Sequence, residues 1–522
     1  MEMKTMPRWA RVVALVIAAI LLQVTVLHKL QVSGIIDKLI PWDECAYIYM
    51  GISNAFLLKN GVWHGLQYAH SPVSILPATL AALFVPQSDA APYWINFVYL
   101  IGLFWFVDWA LRKQRYSSAV AFVLVLITTP FVFIFTSHIK ADFHGGVLFF
   151  ILLSVLFQPD DEEEVNFGIP AVLSVLVVMT KPMAFYVPVL LTAVFVLSAF
   201  ERCVSAGRLD RQSIRRHALL AIVTIGLYAL LVLPNLPFFK AYITQALSPT
   251  WASGGPFGWK LRYYMPFITP SDVEDNKPYG FWGRNIAAYA IIFLCFAGFV
   301  RSLKVWRKAA LIACVAVIAL IPAVMSPQQQ WSFGSLFAAA VVALLFFMMR
   351  AIQTTRAASA ANWIVIVSSI LVFNVTVVQY RSWIQSSPQT TQEAKAITED
   401  FVSKMDPKIS GNAPSPSIYF PFSGPVPDFD FGIRYYRKYH TIPMGMVEAF
   451  TFDENVINGG LKDYSYVVML SDNFQLIEFL ESNRRRGEFQ KRIEERWNLE
   501  KLSTLPYANA TYSLYRVVSM KN

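Results

Sequence analysis

Residues 9–28 read WARVVALVIAAILLQVTVLH. That is an apolar run of the roughly 20 residues an α-helix needs to cross the ~30 Å hydrocarbon core of a bilayer. Runs of this kind recur along the first 380 residues. A chain that crosses lipid repeatedly must satisfy its backbone within helices, so the pattern predicts a mostly α, polytopic transmembrane bundle. Composition agrees: 522 residues, 56% hydrophobic and only 15% charged, against about 25% charged in a soluble domain.

Spans are expected near 9–28, 92–111, 117–136, 143–158, 166–180, 183–200, 217–234, 286–302, 309–325, 333–350 and 360–379. Two stretches, 44–59 and 72–86, are shorter than a crossing requires and are read as helices lying at or dipping into the outer surface. Charge tests this layout. With the N-terminus inside, Lys4, Arg8, Arg11, Arg112, Lys113 and Arg115 fall on the inner side. So do the basic residues of the loops near 202–216, 301–308 and 350–356. The bias supports eleven spans with the N-terminus cytoplasmic and the C-terminus outside. Lys4, Arg8 and Arg11 precede the first run, which lacks a small-residue cleavage site, so it reads as an uncleaved first helix. The acidic run Asp160-Asp161-Glu162-Glu163-Glu164 falls inside and reads as a solvated loop.

The net charge of +10 would suggest nucleic acid in a soluble protein. From Arg381 to Asn522, however, 17 basic residues balance 17 acidic ones, so the whole excess lies in the membrane half. It serves topology, and no nucleic-acid partner is expected. The expected domains are therefore 1–380, transmembrane, and 381–522, a small soluble α/β or α+β domain outside the membrane. In the tail, helices are expected at about 391–405 and 473–486, and strands at Ser417–Pro421, Tyr466–Leu470 and Tyr512–Val518. Arg484-Arg485-Arg486 is read as a helix cap or a solvent-facing run. Four scattered cysteines imply neither a disulfide framework nor a zinc site.

Polar residues at the outer ends of apolar segments carry the functional reading. Asp43 and Glu44, in Pro41-Trp42-Asp43-Glu44-Cys45-Ala46-Tyr47, follow the first span. A carboxylate there can take the proton of an acceptor hydroxyl as it attacks an activated sugar carbon. The bland alternative is a helix N-terminus, where acids complement the dipole. Asp142 opens a later span on the same side, within Ser137-His138-Ile139-Lys140-Ala141-Asp142-Phe143-His144, and is read as a second active-site carboxylate. No cofactor is expected. A divalent metal on His138, Asp142 and His144, joined by Asp43, stands as the alternative, as does simple capping with interfacial histidines.

Lys181, in Val178-Met179-Thr180-Lys181-Pro182, interrupts a long apolar stretch where Pro182 breaks the helix. A lysine is costly in lipid, and a phosphate is its natural partner; snorkelling to the interface is the alternative. His70, in His70-Ser71-Pro72, is placed to touch substrate. Gln330 and Trp331 could bond and stack on a sugar, although an interfacial aromatic explains Trp331 as well. Lys260 and Arg262 lie in a long outer loop and could assist a phosphate. Asp108, four residues before Arg112, reads as a local ion pair.

In their order these features resemble the GT-C superfamily of integral membrane glycosyltransferases, above all the bacterial aminoarabinose transferase and protein O-mannosyltransferase relatives. The resemblance rests on Asp43-Glu44 with Tyr47, Ser71-Pro72 before a short apolar helix, Arg112-Lys113 ending a span, Asp142 opening the next, and Thr180-Lys181-Pro182. It covers about residues 1–380 at the level of layout. It implies polyprenyl-phosphate monosaccharide donors, an inverting transfer, Asp43 as base, Asp142 as second acid and Lys181 near the lipid phosphate. It also implies a bacterial inner membrane with the tail in the periplasm. The chain departs from the family in Cys45-Ala46, and in Gln328-Gln329-Gln330 where a basic residue is common. The competing readings are a secondary transporter or lipid flippase, and a noncatalytic membrane scaffold. The gathering of the polar residues on one face, without evident repeats, favours the enzyme.

Overall fold

The computed structural model describes residues 8–32, 42–62, 72–88, 90–111, 139, 141–156, 168–180, 211–233, 236, 240, 388–406, 408, 416–420, 428–441, 447–448, 454–471, 480–507 and 510–521. The chain divides into two compact units. One holds residues 1–26, 67–76 and 93–383, the other 27–66, 77–92 and 384–522. The described part is mostly helical, with one five-stranded sheet.

Among the described residues seven helices precede the tail: α1 (Arg8–Val32), α2 (Trp42–Lys59), α3 (Pro72–Phe84), α4 (Ala91–Leu111), α5 (Ala141–Leu156), α6 (Gly168–Thr180) and α7 (Arg211–Val232). Among the described residues no helix is long and apolar enough to cross a membrane. The segments expected at 117–136, 183–200, 286–302, 309–325, 333–350 and 360–379 lie outside those residues. The helices do carry apolar side chains on exposed faces as well as buried ones. In α1, Ala19, Gln23 and Leu27, spaced four apart, are buried, while Val13, Ile17, Leu21 and Val24 are exposed. In α7, Leu219, Ile222, Ile225 and Leu230 are exposed. Apart from His28 near the end of α1 and Arg211 and Arg215 at the start of α7, the exposed side chains described in these two helices are apolar. The helix expected at 217–234 begins earlier, at Arg211, because its first turn is basic rather than apolar.

Local chemistry sets the helix ends. α2 closes in a Schellman motif: Gly61 takes a left-handed φ of 71°, its N–H donates to Leu58 O at 3.1 Å, and Val62 N–H donates to Leu57 O at 2.9 Å. α3 opens on Pro72, whose missing N–H costs nothing at a first helical position. The Ser88 hydroxyl accepts the Ala91 amide at 3.1 Å and caps α4. α6 is described through Thr180; Lys181 and Pro182 beyond it lie outside the described residues.

The second unit contains the tail. Its elements are α8 (Pro388–Lys404), β1 (Ile418–Phe420), α9 (Asp428–Tyr439), β2 (Val447–Glu448), α10 (Glu454–Ile457), a 3₁₀ turn (Gly460–Asp463), β3 (Tyr466–Leu470), α11 (Leu480–Arg496), β4 (Trp497–Tyr507) and β5 (Ala510–Met520). The sheet order is β2-β1-β3-β5-β4. β1 lies parallel to β2 and β3, and β5 lies antiparallel to β3 and β4. All five residues of Tyr-Val-Val-Met-Leu in β3 are buried, because both faces of the sheet are covered. Tyr466, Val468 and Leu470 join Ile397, Phe401 and Phe431 in one core. Val467 and Met469 join Ile457, Phe489, Ile493 and Trp497 in the other. This is a three-layer α/β arrangement.

The strand expected at Tyr466–Leu470 matches β3, while α9 and β4 were not expected. Arg484-Arg485-Arg486 lies within α11, Leu480–Arg496, which overlaps the helix expected at 473–486; residues 473–479 lie outside the described residues.

Burial pushes the Tyr435 hydroxyl up to about 12 and raises those of Tyr436 and Tyr466. The folded tail thus holds protons that the unfolded chain releases near its ordinary tyrosine value of ~10. Stability from these groups is intact below pH ~10 and is lost as pH climbs toward ~12. The full-length chain in detergent should show a urea midpoint for the tail that is flat from pH 8 to 9.5 and falls above 10. Tyr435→Phe should flatten that fall.

Candidate functional site

Asp43 and Glu44 are the second and third residues of α2, at the end of the helix where the backbone presents unpaired N–H groups. Tyr47 lies one turn on and is half-buried. Beyond it, Cys45, Ile48, Ile52 and Ala55 form the buried stripe of α2.

What holds α2 in place is Gly51. A Cβ there would stand 2.6 Å from both Ala78 C and Ala78 Cβ, and 2.8 Å from Thr79 N. The α2 backbone therefore lies directly against that of α3, with small residues on both sides. Near its other end α2 meets the tail: the Phe56 ring packs edge-on against Tyr436 of α9, with centroids 6.3 Å apart. Gln87 Nε2 donates to Arg437 O at 3.4 Å in the same unit. The helix that carries Asp43-Glu44 in its first turn thus packs on both α3 and α9.

Asp142 is the second residue of α5. Two residues on, His144 is fully buried in a polar cluster built from three helices. Its Nδ1 lies 2.9 Å from Ser74 Oγ of α3, and its Nε2 lies 3.0 Å from Asn96 Oδ1 of α4. Asn96 Oδ1 is an acceptor, so Nε2 donates, and Nδ1 is left to accept the Ser74 hydroxyl proton. The imidazole stacks on Tyr99 at 4.1 Å and an interplanar angle of 15°.

The Tyr99 hydroxyl donates to Val73 O at 3.1 Å. That carbonyl is available because Pro77, four residues later inside α3, has no N–H to offer it. Asn96 sits in the buried stripe Tyr93, Asn96, Leu100, Leu103 of α4. Next to His144, a Cβ on Gly145 would stand 2.7 Å from Thr180 Oγ1, so α5 also packs closely on the last residue of α6. Lys181 follows that residue.

This geometry corrects the alternative metal reading of His144. Both ring nitrogens are engaged between helices, so a cation there would have to displace Ser74 or Asn96. Among the described residues no three His, Cys, Asp or Glu side chains gather as a metal site. His70, His138, Lys181, Lys260, Arg262, Gln330 and Trp331 lie outside the described residues, as do the side chains of Asp43, Glu44 and Asp142. The expected convergence of Asp43, Asp142 and Lys181 falls on them. The Ser74–His144–Asn96–Tyr99 cluster was not anticipated as a unit. Its one signal in the sequence is polar residues inside otherwise apolar helices, which are costly unless paired.

Solved structures share this architecture. ArnT from Cupriavidus metallidurans, bound to undecaprenyl phosphate, aligns over 97% of this chain and 98% of its own, with a TM-score of 0.60 and 12% identity. The same protein in its apo state aligns over 95% and 97%, with a TM-score of 0.59 and 11% identity. The oligosaccharyltransferase of Archaeoglobus fulgidus aligns over 95% of this chain and 74% of its own, with a TM-score of 0.52 and 13% identity. No protein-family model and no curated protein matches by sequence. The chain shares its fold with these structures, and an aminoarabinose transferase is among the proteins its sequence resembled.

Proposed function

We propose that the chain is a membrane glycosyltransferase. It moves a monosaccharide from a polyprenyl-phosphate donor to a lipid, glycan or protein acceptor on the outer side of the membrane, with inversion. The observation that carries this reading is the end-to-end likeness to ArnT with its undecaprenyl phosphate. The apolar exposed faces of α1 and α7 support a lipid setting. The setting proposed is a bacterial inner membrane, with the N-terminus cytoplasmic, eleven spans and the tail periplasmic.

In the proposed reaction an acceptor oxygen attacks the anomeric carbon from the face opposite the phosphate. The new C–O bond forms as the bond to phosphate breaks. Asp43 takes the hydroxyl proton, with Glu44 and Asp142 orienting the acceptor, and polyprenyl phosphate leaves with the electron pair. A phosphate leaving group needs no protonation of the kind a glycosidase supplies. It needs a cation placed in advance, and Lys181 is proposed for that role, with Lys260 and Arg262 assisting. Tyr47, His70, His138, Gln330 and Trp331 are proposed to line the sugar and acceptor sites. Holding donor and acceptor together at the interface lowers the barrier by fixing orientation.

The test is reconstitution in proteoliposomes with a panel of undecaprenyl-phosphate sugars and an outer-membrane lipid and glycan extract. Acceptor-dependent release of undecaprenyl phosphate is expected. Lipid scrambling without sugar transfer would sink the enzyme reading and favour the flippase. Lys181→Met should raise the donor KM at least tenfold, the scale of one charge-assisted contact worth about 1.5–3 kcal/mol. An unchanged KM would remove Lys181 from the phosphate.

A further inference from the structure

We propose that His144 is a positioning residue that sets the first turn of α5, and with it Asp142. The inference rests on the glycosyltransferase reading for its catalytic consequence and on the packing for its physical content. α5 begins at Ala141, so His144 lies in its first turn, where helix ends ordinarily fray. Here that turn is anchored. One ring nitrogen bonds α3 through Ser74 and the other bonds α4 through Asn96, at 2.9 and 3.0 Å. The ring plane is fixed by stacking on Tyr99, which is itself tied to Val73 O by its hydroxyl.

An imidazole held at both nitrogens and one face has neither rotational nor translational freedom, so the helix start that carries it cannot roll. Asp142 lies two residues away, and its Cα can move only with that turn. All four partners are buried or half-buried in one compact unit, so leaving any one unpaired carries a desolvation penalty. The cluster is held as a whole or lost as a whole.

The chemistry distinguishes this role from metal ligation. A ligand nitrogen must present a lone pair to the cation. Here Nε2 donates its hydrogen to Asn96, and Nδ1 is occupied by Ser74. Glutamine offers one acceptor and one donor on a single planar group, so His144→Gln can keep both bonds, whereas His144→Leu keeps neither.

The experiment compares wild type, His144→Leu, His144→Gln and Ser74→Ala in full-length reconstituted protein. Amide exchange is followed at Gly145, Gly146 and Val147, whose N–H groups close the first turns of α5. Sugar transfer is followed in parallel. In His144→Leu, exchange at these amides should rise at least tenfold while α6 amides stay unchanged. The kcat should fall at least tenfold with the donor KM within twofold. Ser74→Ala should move both in the same direction by less, and His144→Gln should retain most of both.

Unchanged exchange in His144→Leu overturns the proposal. So does faster exchange with an unchanged kcat, which would mean a merely structural anchor. A kcat in His144→Gln that is lost and then restored by millimolar Mn²⁺ would show a metal ligand instead. If wild type transfers no sugar while exchange responds as stated, the anchor stands and the glycosyltransferase reading falls.

Discussion

Asp43→Asn should lower sugar transfer by about 10²–10⁴-fold, the contribution of a positioned general base, while membrane insertion, yield and thermal midpoint stay at wild-type values. Asparagine matches aspartate in size, and at the second helical position the change removes only a charge's interaction with the helix N-terminus, about 0.3–1 kcal/mol at most, so the start of α2 has little reason to shift. What it loses is the ability to accept the acceptor's proton. The comparison also separates the roles of the neighbouring acids. Glu44→Gln should cost less if Glu44 only orients the acceptor. A transporter or scaffold would lose neither its fold nor its activity through Asp43→Asn. Full transfer by Asp43→Asn would remove it as the base and move that role to Glu44 or Asp142.

Gly51→Leu should lower the thermal midpoint and abolish transfer together. The position has no room: a Cβ already falls 2.6 Å from the backbone carbon of Ala78, and the flank of a helix backbone cannot swing aside as a flexible side chain can. Overpacking a tight contact typically costs about 1–3 kcal/mol. Relief requires α2 and α3 to separate, which carries the Asp43-Glu44 end of α2 with it. Gly51→Ala should show the same two effects at smaller size. Gly102 and Gly226 are the controls, since a Cβ at either meets none of the described residues within 4 Å. Alanine there should be neutral or stabilise by up to ~1 kcal/mol, as expected for glycine in a helix interior. A wild-type midpoint for Gly51→Leu, measured by differential scanning fluorimetry in detergent, would contradict the close crossing.

How far the sequence could be read depended on whether a signal was local. The run of β-formers at Tyr466–Leu470 marked a strand, and the structure shows it buried along its whole length. The short segments 44–59 and 72–86 stood out by length and became α2 and α3. α9 was hidden because Asp428-Phe429-Asp430-Phe431-Gly432 reads like a loop; its helical face is visible only once Phe431 and Tyr435 are seen in the core. β4 alternates exposed and less exposed positions except at Glu500-Lys501, both exposed beside a register shift, and these with Pro506 are weak β-formers that an outer strand tolerates.

Of the proposed site, the sequence offered residue types at segment starts, and Asp43 and Asp142 do fall in the first turns of α2 and α5. The partners of His144 were not legible, because Ser74 and Asn96 lie 70 and 48 residues away and a hydrogen bond across that separation leaves no spacing to detect. A histidine two residues after an acid suggests a ligand pair when read locally. Only the packing of three helices shows that its nitrogens are already used. The same limit applied to Gly51, whose role depends on Ala78 of another helix.

The most direct measurement of the central claim is a cryo-EM map of the full-length protein with an undecaprenyl-phosphate sugar bound to the Asp43→Asn variant. The account predicts the lipid phosphate beside the Lys181 ammonium, with the anomeric carbon turned toward residue 43. A phosphate bound away from Lys181, or a sugar facing neither residue 43 nor Asp142, would contradict it.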